Sequence, residues 1–186
     1  MDFAGRLCAL RDGRSVETSL GFTALDGLCM ATRPGAVDPG AILYLFQGLG
    51  LTAEEVETIL YKRSGLLGIS GISSNMRELL KSAEPRASLA VDYFVYQAAK
   101  EIGAMAAVLG GLDGLVFTAG IGENSAEIRK RIVQASAWLG IELDEIANAH
   151  AGPRISARGS KVSAWVIPTN EELMIARHTS SLLGLQ

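Results

Sequence analysis

Cysteine, histidine, proline and aromatic residues are all scarce in this 186-residue chain, with 2 Cys, 2 His, 5 Pro and an aromatic fraction of 6%. Cys8 and Cys29 have no CxxC spacing, supply too few ligands for a zinc site, and read as reduced thiols of a cytosolic protein. His150 and His178 show no HExxH-type spacing, so each reads as a surface or capping residue rather than a metal ligand. No apolar run approaches the roughly 20 residues needed to span a bilayer. Asp2, Arg6 and Arg11 interrupt the start where a signal peptide would carry its apolar core. Basic charge is not in excess either: 17 Lys and Arg against 20 Asp and Glu give a net charge of −3. A chain with that balance lacks the clustered basic surface of a DNA- or RNA-binding protein. The expectation is a cytoplasmic chain with neither a membrane nor a nucleic-acid partner.

Apolar residues and glycine are what the chain has in quantity. A hydrophobic fraction of 48% against 20% charged excludes a disordered polymer. The mean hydropathy of +0.25 is high for a water-exposed domain, which assigns the excess to a core or to an interface. The length fits one ordinary domain, or a large half of something bigger. With 21 Gly and little proline, regular elements joined by tight turns are expected.

Local signals place those elements. Asp12-Gly13 between Leu7–Arg11 and Arg14–Ser19 predicts a hairpin, because both turn positions need positive φ. Asp38-Pro39 predicts a capped helix that buries Ile42, Leu43, Leu45 and Phe46. Thr52-Ala53-Glu54-Glu55 is a capping box that starts a second helix through Val56, Ile59 and Leu60. The stretch from Ser64 to Gly71 reads as a flexible apolar loop, and Ser73 or Ser74 as the cap of a short helix through Leu79 and Leu80. Pro85 opens the longest helix, which ends near Gly110-Gly111; its alanines point to burial on more than one side. Leu115–Thr118 predicts a buried parallel strand. Asn124-Ser125-Ala126-Glu127 caps a helix whose Ile128, Ile132, Val133, Ser136 and Leu139 share a face, with Arg129, Lys130 and Arg131 mostly on the solvated side. Asp144–Lys161 reads as irregular, Val162–Ile167 as a strand, and Pro168–Glu172 as the turn into a last helix. Alternating strands and helices give an α/β class.

Chemistry has four candidate seats. Gly120-Ile121-Gly122-Glu123-Asn124, between a strand and a helix start, offers exposed backbone N–H groups to a phosphate or a nucleotide; a tight turn with a good cap explains the same residues. It is neither a Walker A loop nor a dinucleotide fingerprint, since no GK[ST] follows and Ser125 stands where a third glycine belongs. Glu171 and Glu172 suit Mg²⁺ coordination, or equally the dipole of the helix they open. Arg33, in Thr32-Arg33-Pro34-Gly35, suits contact with a carboxylate or phosphate, or a surface ion pair. Asn75-Met76-Arg77 reads as a helix cap followed by an exposed arginine.

Taken together, Gly21-Phe22-Thr23, Thr32-Arg33-Pro34-Gly35, Asp38-Pro39, Ser64–Gly68, Phe117–Asn124 and Pro168–Glu172 resemble the acetate kinase family, in order and spacing, from about Leu7 to the end. The resemblance implies a ribonuclease H-like lobe of the actin/hexokinase/Hsp70-like fold, with a mixed sheet flanked by helices. It implies transfer of the ATP γ-phosphoryl group to a short-chain carboxylate (acetate, propionate or butyrate), with ATP and Mg²⁺ as cofactors. By carry-over, Gly120, Ile121, Gly122, Glu123 and Asn124 match the nucleotide loop, and Asn75, Met76 and Arg77 match the segment flanking the adenosine. Arg33 matches the arginine that stabilises charge on the transferring phosphoryl group, and Glu171 the Mg²⁺ ligand. At Asn75 and Met76 the family more often has Asp and a bulky apolar residue. Family members are about twice as long, so residues 1–186 correspond to their C-terminal nucleotide-binding and dimerisation lobe, and a homodimer is expected. The N-terminal lobe and its catalytic residues are not in this chain, and Met1–Arg6 departs from the family's second phosphate motif. The implied activity is weak or lost in this chain alone; the alternative is a non-catalytic nucleotide-binding or dimerisation module.

Overall fold

A computed structural model describes residues 5–184; most of the Met1–Arg6 departure therefore lies outside the described residues. Strands β1 (Cys8–Arg11) and β2 (Arg14–Thr18) form the expected antiparallel hairpin, with Asp12 and Gly13 both at positive φ. Helix α1 (Pro39–Gln47) starts where expected, because the Asp38 carboxylate accepts from the Gly40 amide and proline occupies the first turn. Its apolar face is not buried, however: no α1 residue is buried, and Leu43 and Phe46 are exposed. Helix α2 (Ala53–Lys62) carries the full capping box, Glu55 N–H to Thr52 Oγ1 at 3.3 Å and Thr52 N–H to Glu55 Oε2 at 2.8 Å.

The segment expected as a loop is helix α3 (Gly65–Ser70). Tertiary contacts induce it: the amides of Leu66 and Leu67 bond the carbonyls of Met30 and Ala31, and Leu66 is buried. Gly65 makes this approach possible, since its φ is +64° and a Cβ there would overlap the Met30 carbonyl oxygen. Helix α4 (Met76–Lys81) is capped by Asn75 rather than by Ser73 or Ser74. The Ser73 hydroxyl instead accepts from the Asn75 amide and donates to Glu78.

Helix α5 (Pro85–Leu109) is the spine. Proline sits in its first turn and Gly110, in the left-handed region, ends it. Ala87, Ala90, Val91, Phe94, Ala98, Ile102, Met105 and Ala106 form one buried stripe. That stripe takes α3 and α4 toward one end and the β1–β2 hairpin toward the other, where Arg11 Nη2 donates to the Leu109 carbonyl at 3.0 Å. Leu89, Tyr96 and Val108 stay exposed, so burial covers less of the helix than its alanine content predicts.

Strand β3 (Gly114–Phe117) pairs in parallel with β4 (Ser163–Val166), in the register Gly114 with Ser163 and Phe117 with Val166. The mixed sheet is thus realised as two separate pairs, one antiparallel and one parallel. Burial on β3 is confined to Phe117, and Val116 is 49% exposed. After β3 come α6 (Ala119–Asn124) and α7 (Ala126–Ala135), which packs on α5. The stretch expected to be irregular contains a short helix, α8 (Glu145–Ala149), capped by Asp144. After β4 comes α9 (Glu171–Leu182), capped by Asn170; Leu173, Met174 and Ile175 are exposed on it. No helix among the described residues is long and apolar enough to cross a membrane.

Candidate functional site

Parallel pairing of β3 and β4 brings their carboxyl ends side by side, so the turns into α6 and α9 become neighbours. In open α/β sheets ligands gather beyond such strand ends. The Ile167 amide bonds the Phe117 carbonyl at 2.9 Å, which carries the pairing one step past the strands. The chain then turns sharply: Thr118 is extended and Ala119 sits at φ +54°. A non-glycine residue in that region costs about 1–2 kcal/mol, so surrounding contacts must hold it there.

Glu123 supplies the contact. Its Oε1 accepts from the Ala119 amide at 2.6 Å, from the Thr169 amide at 2.8 Å and from Thr169 Oγ1 at 3.1 Å. One carboxylate oxygen therefore ties the α6 turn to the α9 turn. The Thr169 amide above all, and the Ala119 amide after it, hold this carboxyl below the ordinary glutamate range against the opposing effect of burial. Gly122 lies against the strand it follows: a Cβ there would come within 3.3 Å of the Phe117 carbonyl carbon. Asn124 Nδ2 donates to the Gly120 carbonyl at 2.9 Å, closing the same short helix on itself.

Behind this junction lies a residue that sequence reasoning misplaced. Arg129 belongs to the solvated face in the sequence reading, yet it is 1% exposed. Its Nη1 donates to the carbonyls of Gly122 and Glu123 at 2.9 and 2.8 Å. Its Nε reaches Asn148 Oδ1 at 2.8 Å and its Nη2 the Asn148 carbonyl at 2.6 Å. Asn148 in turn donates to the Ala126 carbonyl. Burial lowers the arginine's pKa from its usual value, and no carboxylate among the described residues lies within ion-pair distance of it. Neutral oxygens alone compensate its desolvation, two of them the carbonyls that end α6 and two from Asn148 of α8. Helical spacing was the available signal: Ser125, Arg129, Ile132 and Ser136 recur at i, i+4, i+7 and i+11, on the buried side.

The remaining expected residues fall in two other places. Arg33 lies on a loop fastened to α3: Met30 N–H bonds the Arg33 carbonyl, Ser64 N–H the Thr32 carbonyl, and Thr32 Oγ1 the Tyr61 carbonyl at 2.8 Å. Its guanidinium carbon stands 5.7 Å from the centre of the Tyr61 ring, within cation–π range. A cleft of about 500 Å³ opens beside this loop, lined by Pro34, Ser64, Gly65, Gly68, Ile69, Leu89, Tyr93 and Arg63. Gly120–Asn124 do not line it. Asn75 caps α4 through the Arg77 amide at 2.9 Å, Arg77 is exposed, and Met76 is buried in the core. The Met76 side chain therefore serves packing.

Glu171 is placed as the first residue of α9; its side chain lies outside the described residues. The neighbouring polar side chains are occupied, Thr169 Oγ1 by Glu123 and Asn170 Oδ1 by the Leu173 amide. No group of three or more His, Cys, Asp or Glu side chains able to hold a metal ion occurs among the described residues. Mg²⁺ is ordinarily held by one or two carboxylates together with substrate phosphates and water, a requirement that a single glutamate at this turn fits.

The sequence matches the acetokinase family over residues 3–177. It is 57% identical over 174 residues to an acetate kinase from Rhodopseudomonas palustris, a match that takes in 92% of this chain and 44% of that protein. The structure superposes on Porphyromonas gingivalis acetate kinase with a TM-score of 0.88 and 40% identity, covering 96% of this chain and 46% of the other. It superposes on a propionate kinase from Francisella tularensis with a TM-score of 0.87 and 42% identity, covering 92% and 45%. The chain spans about half the length of the curated relatives it matches.

Proposed function

The chain belongs to the acetokinase family and shares the actin/hexokinase/Hsp70-like fold of its structural neighbours, and from that premise we propose that it is the nucleotide-side lobe of a phosphotransferase. The reaction passes the ATP γ-phosphoryl group to a short-chain carboxylate: a carboxylate oxygen bonds to the γ-phosphorus, the bond to the β–γ bridging oxygen breaks, and ADP leaves. No proton has to move. The observation that carries the reading is the Glu123 tie, which sets the Gly120–Asn124 turn beside the Thr169–Glu171 turn at two parallel strand ends.

In this reading the backbone of the Gly120–Asn124 turn holds the nucleotide, with the Glu123 side chain turned to its protein donors, Asn75, Met76 and Arg77 flank the adenosine, and Arg33 faces charge on the transferring phosphoryl. Glu171 would hold Mg²⁺, which when bound neutralises phosphate charge. Phosphoryl transfer needs little beyond such positioning and neutralisation. Half of a cleft positions poorly, so turnover by this chain alone is expected to be weak. Isothermal titration with Mg·ATP tests the binding claim: heat that saturates supports it, and no binding at millimolar nucleotide overturns it. Hydroxylamine trapping of the acyl phosphate tests the second claim, and turnover at the rate of a full-length relative would overturn it.

A second reading is a non-catalytic self-association module. The observation in its favour is the exposed stripe Leu89 and Tyr96 on α5, two turns apart, followed two turns on by Gly103, where a Cβ would come within 3.6 Å of Trp138 Cζ2. Binding of Mg·ATP separates the two readings, and a homodimer is compatible with both.

A further inference from the structure

Glu123 is an unsuitable phosphate ligand on chemical grounds. An ionised carboxylate donates no hydrogen bond and repels a triphosphate. Its Oε1 is engaged by three protein donors at 2.6, 2.8 and 3.1 Å. Those donors come from two turns separated in sequence by 45 residues and more, and one of them is the amide of Ala119, the residue held at φ +54°. The backbone of Glu123 is fixed as firmly as its side chain, because Arg129, buried and charged, grips the carbonyls of Gly122 and Glu123.

We infer that Glu123 is a positioning residue that couples the nucleotide turn to the metal turn, and not a ligand of the nucleotide. The functional half of the inference rests on the nucleotide reading above; the structural half does not. Without the tie, Thr169 loses the hydrogen bonds that Glu123 accepts from its amide and its hydroxyl. The backbone of Glu171, in the first turn of α9, then no longer stands in a fixed relation to the Gly120 turn. Residues that orient a metal ligand from behind characteristically cost about 10–100-fold in metal affinity when replaced.

Two measurements decide the matter. The first needs no nucleotide: amide hydrogen exchange by NMR. Protection of both the Ala119 and Thr169 amides in the wild type, lost together in Glu123→Ala while core amides of α5 keep theirs, supports the tie. Unchanged protection of either amide overturns it. The second is titration with ATP in the presence and absence of Mg²⁺. Glu123→Gln should weaken Mg·ATP binding about tenfold more than metal-free ATP binding, and Thr169→Val should move the same ratio in the same direction by less. An equal loss with and without Mg²⁺ marks Glu123 as an ordinary nucleotide contact and overturns the coupling. Should Glu123→Ala unfold, the exchange arm is read on Glu123→Gln, whose neutral oxygen is a weaker acceptor: protection must fall at both Ala119 and Thr169, and unchanged protection of either overturns the tie. A wild-type chain that bound no nucleotide would remove the proposed function, and the exchange experiment would still decide the tie.

Discussion

At the scale of single residues, burial decides more than residue type. Arg129 shows this most directly. Replacing it with Met keeps the volume of its stem but leaves the carbonyls of Gly122 and Glu123 and the Oδ1 of Asn148 without the donors it supplies. Each buried polar group left unpaired costs about 1–3 kcal/mol, so Arg129→Met should lower stability by at least about 3 kcal/mol, read as a shift in urea midpoint. Lys should rescue little, since a single ammonium cannot fork between α6 and α8. That residue was legible by spacing and illegible by charge: it stands among Ile128, Ile132 and Val133, and its neighbours Lys130 and Arg131 do pair at the surface with Glu145, Glu127 and Asp92. Glu123 carries a pH prediction. Its carboxyl is held low in the folded chain, so the unfolded chain takes up that proton first as the pH drops. The stabilisation is complete above the unfolded value of about 4.3 and fades as the pH falls through the lowered folded value. Glu55 acts in the same direction through the Thr52 amide. Glu123→Gln should therefore flatten the loss of stability on acidification without abolishing it, because Glu55 still titrates. A slope unchanged from the wild type counts against the tie.

At the scale of elements, the parts legible in sequence are those whose cause is local. The Asp12-Gly13 hairpin, the Asp38-Pro39 start of α1, the Thr52–Glu55 box of α2 and the Pro85–Gly110 bounds of α5 follow from turn and cap chemistry carried by a few adjacent residues. Helices α3 and α8 were not legible in that way. The amides of α3 are matched by carbonyls more than 30 residues earlier, at Met30 and Ala31, and one face of α8 exists to present Asn148 to Arg129. The pairing of β3 with β4 spans 49 residues, from Gly114 to Ser163, and two strand signals alone do not state which ends meet. The candidate site inherits this division: its glycines and caps were visible, and the tie that assembles them was not. Backbone strain at the two junctions gives a contrast of sign. Ala119→Gly relieves the left-handed cost and adds unfolded-state entropy, so it should be neutral or stabilising by up to about 1 kcal/mol. Ala119→Val places a β-branched residue where only small ones sit without penalty, and should destabilise by about 2 kcal/mol. Gly65→Ala should cost at least as much, because its Cβ meets the Met30 carbonyl and pushes the Arg33 loop away from α3. All three are read from thermal or urea midpoints, and a destabilising Ala119→Gly would contradict the strain assigned to that turn.

At the scale of the whole molecule, the chain buries a well-formed core and leaves a good deal of apolar surface outside it. The core runs along α5 and continues through Phe117, Ile128, Ile155 and Val166. Outside it stand Leu43 and Tyr44 on α1, Leu89 and Tyr96 on α5, Trp138, and Ile175 and Leu182 on α9. Exposed apolar residues are ordinary when scattered singly, but contiguous ones mark contact surfaces. The stretches on α1 and α9 suit cover by a second lobe, consistent with a chain that spans 44% of the Rhodopseudomonas palustris relative. The α5 stripe is different in kind, because Leu89, Tyr96 and Gly103 repeat every seven residues along one helix. A repeat of that period keeps its residues on one face of the helix, so a second copy of the same stripe can pack against it about a two-fold axis. Tyr96 is the most exposed large side chain of the stripe at 64%, and a charge there would be buried without a partner in any such contact. Light scattering should give twice the 19.6 kDa chain mass at micromolar concentration, and Tyr96→Glu should return the mass to that of one chain while Mg·ATP binding persists. A wild type that remains single at that concentration removes the stripe as a self-association surface, and leaves the α1 and α9 faces as the places where the apolar excess meets a partner.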